Sequence, residues 1–223
     1  MREEICKMNS DQQKGPIIMN HLLLMFFVYV GLSVTPNLAQ AYFTNADSGE
    51  LVPKDQYRLI LEPQMGHFNI TAHFDAGVTD SSQLRVSLGA GEDGTHFDFF
   101  YKSIPYPDFE NQPAIGYKVG TIFASDKGSN VLSIRFMPLI SKTYVINQNR
   151  WTPYLSIPLS VSMYKSTSTT PLHAVFGTEL TLANSPDMQI GFEGGSTIKD
   201  GFSYASVFIS FYFEPSEMES DGE

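Results

Sequence analysis

The chain is poor in cysteine, tryptophan, charge and long hydrophobic runs. One cysteine (Cys6) and one tryptophan (Trp151) occur in 223 residues. A single thiol leaves no disulfide framework to build on. Charged residues make up 17% of the chain, against about a quarter in ordinary soluble domains. The longest apolar run, Leu22 to Val34, is shorter than the roughly 20 residues that carry a helix across a bilayer. No second run follows it, which argues against a multi-helix membrane protein and leaves an uncleaved anchor helix over this run as the alternative to a signal peptide. The serine-nucleophile pattern Gly-x-Ser-x-Gly is also missing. Gly89-Ala90-Gly91-Glu92-Asp93-Gly94 lacks the Lys-Ser/Thr ending and the following helix of a phosphate loop, and reads as a hairpin turn.

What is present begins with an export signature. The apolar run is followed by Pro36 and then by Ala39-Gln40-Ala41, a small-x-small cleavage pattern. Residues 1–41 are expected to be a signal peptide with an extended N-terminal region, cut after Ala41. Cleavage removes Cys6, and the rest of the chain has no thiol chemistry. The formal net charge is −10. It stays there after cleavage, because Arg2, Lys7 and Lys14 cancel Glu3, Glu4 and Asp11. A charge this negative argues against nucleic acid as a partner. Residues 42–53 read as a polar lead-in. Residues 214–223 form an acidic tail with the composition of a disordered segment.

Between them, over 54–213, strand signals alternate with turn signals. Leu155, Ile157, Leu159 and Val161 alternate with small and polar residues. Val207, Ile209, Phe211 and Phe213 do so in the last segment. The opposite faces carry Gly, Ser and Tyr with few charges. A soluble sheet would crowd such a face with Lys, Glu and Thr. The pattern fits a wall with hydrocarbon on the apolar side. It predicts an all-β fold, a single antiparallel up-and-down transmembrane β-barrel of about ten strands, or eight if weak segments merge. The apolar sets just named are the expected lipid-facing residues. His67, His73, Asp75, Lys118, Arg135, Glu179 and Glu193 are the expected polar residues of the lumen. Gly116, Gly120, Gly177 and Gly191 mark places for close approach across it. Tyr57, Tyr101, Trp151, Tyr154, Tyr204 and Tyr212 are expected at the membrane interfaces. Lys165 to Pro171 and Gly194 to Gly201 read as loop and turn.

These features resemble the small outer-membrane β-barrel proteins of Gram-negative bacteria, over most of Asp55 to Phe213. The segment Val207-Phe208-Ile209-Ser210-Phe211-Tyr212-Phe213 resembles their C-terminal assembly signal, although Glu214 to Glu223 follow it where that signal usually ends the chain. The resemblance implies outer-membrane lipids as surroundings, with barrel-assembly machinery and periplasmic chaperones as partners in biogenesis. Porin-like, structural or small-solute binding and conduit roles fit such a barrel, including passage of a small apolar solute. His73 and Asp75 are neighbours on one strand face, but no spacing demands a metal, cofactor or catalytic site. The alternatives are a secreted lipocalin-like barrel that binds a hydrophobe and an outer-membrane lipid-modifying enzyme.

Overall fold

The period-two alternation is realised in strand after strand. The computed structural model describes residues 47–92, 94–126, 129–164 and 167–214. The expected signal peptide and all of the acidic tail except Glu214 lie outside the described residues. Among those described, 13 strands form one antiparallel sheet, and no helix occurs. They are β1 (Tyr57–Met65), β2 (Asn69–Thr79), β3 (Ser82–Gly91), β4 (Gly94–Tyr106), β5 (Ala114–Asp126), β6 (Ser129–Ser141), β7 (Tyr144–Ile146), β8 (Asn149–Ser156), β9 (Leu159–Tyr164), β10 (Thr167–Thr169), β11 (Leu172–Leu182), β12 (Ser185–Lys199) and β13 (Tyr204–Phe213).

Three strands are continuations of others. β7 extends β6 beyond Lys142 and Thr143 and pairs with the start of β8. β10 leads into β11 across Thr170 and Pro171 and pairs with the end of β9. β8 and β9 together form one wall strand, broken at Ile157 and Pro158, and both pair with β6. Pro158 has no N–H to give to a ladder. Three prolines on adjacent wall strands meet at this break. The Pro138 carbonyl accepts from the Ile157 amide, that of Pro171 from Ser160, and that of Pro158 from His173, at 3.0–3.2 Å. The wall thus has ten strands rather than eight. β1 closes the ring against β13, from Tyr57↔Phe213 to Met65↔Ala205.

Facing follows the same alternation, turned inside out relative to a soluble protein. Leu59, Phe99, Phe123, Phe136, Val161 and Phe176 lie on the outer surface, 37–57% exposed. Arg58, Asp75, Arg85, Asp98 and Lys102 point inward with at most 1% exposed. A lipocalin-like barrel would bury the first set and expose the second. Water does not tolerate apolar surface on this scale, so the outer wall is built for hydrocarbon. β4, β5 and β6 have 13 residues each, enough for tilted strands to span a bilayer, which takes about 9–11. The fold is an antiparallel transmembrane β-barrel.

Several local expectations change. Gly194 to Lys199 belong to β12 and Thr167 to Thr169 to β10. Small and polar residues suited to turns are equally suited to a wall whose inner face must make room. Of the expected interfacial aromatics, Tyr57, Tyr101 and Trp151 stand outside. Tyr57 stacks on Phe74 at 5.5 Å and Trp151 lies 5.5 Å from Tyr144. Tyr154, Tyr204 and Tyr212 instead turn into the lumen, where their hydroxyls find polar partners.

Candidate functional site

The lumen is packed in its middle and bridged at one end. Gly177, Gly191 and Gly195 lie opposite Tyr154, Phe208 and Tyr204 on neighbouring strands. Each ring covers its glycine so closely that an added Cβ would fall 1.9–2.2 Å from it. Inward-facing rings on glycines thus fill the space a ten-stranded wall encloses. Beneath them lie buried polar pairs. Glu193 accepts from the hydroxyls of Tyr154 and Tyr204. His73 is 2.9 Å from Glu62 through Nε2 and 2.8 Å from Ser87 through Nδ1.

The end where β1 begins and β13 ends is closed differently. Residues 47–53 belong to no strand and lie within the lumen there. Asp47, Ser48 and Val52 are at most 2% exposed. Asp47 meets four cations from four wall strands. Lys102 Nζ donates to Oδ1 at 2.6 Å and Lys118 Nζ to Oδ2 at 3.1 Å. The guanidinium groups of Arg85 and Arg58 stand at 3.6 and 3.7 Å. Ser48 donates to Glu179 of β11 at 2.7 Å. The Val52 amide donates to Gln83 of β3 at 2.9 Å.

Glu50 ties the same segment to the rim. Its carboxylate accepts from Arg150 and Thr152 at 2.8 Å, from Thr143 at 3.3 Å and from Gln189 at 3.0 Å. Gly49 passes so near the wall that a Cβ would fall 1.9 Å from Ser141 Oγ. A turn then leads the chain out over the rim. The Gln56 amide bonds the Pro53 carbonyl at 3.1 Å, with Asp55 at φ 62°, the left-handed third position such a turn uses. Above the segment opens a vestibule of about 400 Å³, lined by Glu50, Asp108, Arg150, Asp187, Gln189 and Tyr212 among others.

On the vestibule wall Asp108 takes Lys142 Nζ and, at 2.6 Å, the Thr143 amide. Partial burial pushes its carboxyl upward. The Lys142 ammonium and the Thr143 amide outweigh that and hold it below the usual carboxylate range.

The residues expected in the lumen divide three ways. Lys118 reaches Asp47, and Glu179 reaches Ser48. Asp75 is the anchor of the cationic wall: it accepts from Arg85 at 2.6 and 2.8 Å, from Arg58 at 2.7 and 3.0 Å and from Gln83 at 3.1 Å. His73, Arg135 and Glu193 lie inside but away from the segment, and Arg135 bonds Ser160 at 2.9 Å. His73 has Glu62 as its carboxylate, not its strand neighbour Asp75. His67 sits in the turn after β1, half-buried, its ring 4.7 Å from that of Phe202. Leu155, Ile157, Leu159, Val161 and Phe211 are exposed on the outer wall, with Val207, Ile209 and Phe213 half-buried there.

Sequence reasoning did not single out Asp47, Glu50, Arg58, Arg85 or Lys102. Arg58, Arg85 and Lys102 do carry a signal, since each occupies the inward parity of its strand. Asp47 and Glu50 carry none, because an unpaired segment has no period. Among the described residues, no group of three or more His, Cys, Asp or Glu side chains is placed to hold a metal ion.

No protein-family model and no curated protein matches the chain. Among solved structures it resembles a bacterial polysaccharide outer membrane secretin at 10% identity and a TM-score of 0.43. That match covers 70% of this chain and 58% of the secretin chain. It also resembles KdgM porin at 10% identity, with a TM-score of 0.36, over 71% of this chain and 99% of that one. Against KdgM porin in complex with disordered oligogalacturonate the TM-score is 0.37, at the same identity and coverage.

Proposed function

We propose that this chain is an outer-membrane β-barrel, exported with a cleaved signal peptide, that acts as a small-solute conduit held shut by its own residues 47–53. The observation that carries this reading is the way the segment is held. It lies across the lumen yet shares no ladder with the wall, and its anchors are side-chain contacts with two main-chain hydrogen bonds, Val52 N to Gln83 and Lys102 Nζ to the Glu50 carbonyl. A wall strand cannot leave without opening the barrel. A segment held this way can.

The packed rings of Tyr154, Tyr204 and Phe208 favour a second reading, a sealed structural barrel of the envelope. Reconstitution in planar bilayers separates the two. The unaltered protein is expected to be closed. Asp47→Ala with Glu50→Ala removes both acidic anchors and is expected to raise conductance. A doubly substituted protein that inserts correctly and stays silent would favour the sealed barrel.

A further inference from the structure

Removing Asp47 from its contacts leaves an unusual wall. Arg58 of β1, Arg85 of β3, Lys102 of β4 and Lys118 of β5 converge at one level of the lumen. All four are at most 1% exposed. The two arginines are held independently of Asp47, whereas Lys102 donates to Asp47 and to the Glu50 carbonyl. Asp75 fixes both guanidinium groups through hydrogen bonds of 2.6–3.0 Å. The Lys118 ammonium stands 4.8 Å over the Phe100 ring. The arginine side of the cationic wall is therefore preorganised, with Asp75 as a wall carboxylate that accepts from both arginines.

Four buried cations are a poor way to seal a lumen. Apolar side chains of the same volume would close it at lower cost, because each buried charge must be compensated. The seat makes sense if it is meant to hold an anion. We infer that the seat of Asp47 is a binding station for a carboxylate-bearing solute, and that Asp47 is a tethered occupant which such a solute displaces. This rests on the conduit reading above and names its solute class. An anion replaces the small apolar solute expected from sequence. The two lysines supply point charges to the two carboxylate oxygens, as they do to Asp47. The arginines add a second ring of positive charge just beyond hydrogen-bond reach. Displacement follows from mass action, since a ligand that takes the seat only when the segment is out favours the displaced state.

The test is replacement of the missing carboxylate in the full mature chain. Asp47→Ala in detergent should melt below the unaltered protein and regain stability on adding sodium formate, measured against sodium chloride at equal ionic strength. A Tm rise of roughly 3–6 °C is expected at formate tenfold above its Kd. The unaltered protein should show no such rise. Adding Lys102→Met and Lys118→Met to Asp47→Ala should abolish the response. A response to chloride equal to that to formate, or none to either, overturns the station. Should Asp47→Ala fail to fold, the unaltered protein carries the test. Formate should then speed Glu-specific proteolysis after Glu50, and an unchanged cleavage rate overturns the proposal. Rescue by formate without conductance in the doubly substituted protein sinks the conduit and keeps the station. Conductance without rescue does the reverse.

Discussion

Phe208 packs against Gly191, and that contact shows how single residues set the width of this lumen. The two face each other across β12 and β13. A Cβ at Gly191 would fall 2.0 Å from the ring. Gly191→Ala should therefore push Phe208 toward the axis and cost about 1–3 kcal/mol, as overpacking does. Gly191→Ala with Phe208→Leu should recover part of it. Urea unfolding of the barrel in vesicles reads both. No loss in the single variant would mean the ring has room to move. At this scale the sequence was half legible. Gly177 and Gly191 stood out as small positions on a face that needed them. Tyr154, which covers Gly177, and Tyr204, which covers Gly195, did not, because each carries an apolar body and a polar tip that suits an interface or a buried carboxylate equally well. Parity would have decided: each sits on the inward register of its strand, the same face as Ser156 and Ser206.

At the scale of elements, the rim is held by a latch between a loop and a strand junction. Asp108 belongs to the loop between β4 and β5, while Lys142 and Thr143 mark the break between β6 and β7. Lys142 also donates to the carbonyl of Glu110 at 2.6 Å and to that of Gln112 at 3.3 Å. The folded state holds the Asp108 carboxyl below its ordinary range, chiefly through Lys142 and Thr143 working against partial desolvation. A depressed carboxyl contributes stability above its unfolded pKa of about 3.9 and loses it as pH falls through the lower folded value. Carbon-detected NMR of Asp108 should show a midpoint below that of an ordinary aspartate, and Lys142→Met should move it back up. A midpoint at or above the ordinary value would remove the latch. Elements with strict alternation, such as β5, β11 and β13, were readable from sequence. The junction at 142–149 was not. It combines a short break with a two-residue turn at Asn147 and Gln148, both at positive φ (50° and 69°), and neither leaves a period to read.

For the molecule as a whole, the deciding property is which way the apolar face points. Val161 pairs with Ile134 near the middle of the wall, and both are about half exposed. Val161→Arg should cost about 2–4 kcal/mol of folding stability in a bilayer, the range for a cation at the midplane. The same change in a residue near the rim, such as Leu180→Arg, should cost less. Unfolding from vesicles measures the pair, and equal costs would argue against hydrocarbon contact. Fold class and strand number were legible because closure imposes one alternation on every strand. The contents of the lumen were not, since charges from strands far apart in sequence meet only once the ring exists.

That last dependence has a consequence for assembly. Residues 47–53 are bound by the amino-terminal half of the wall through Asp47 and Val52. They are bound by the carboxy-terminal half through Ser48 to Glu179 and Glu50 to Gln189. An incomplete sheet offers only one set of these partners. The stretch that precedes the described strands thus has its full set of partners only in a closed barrel.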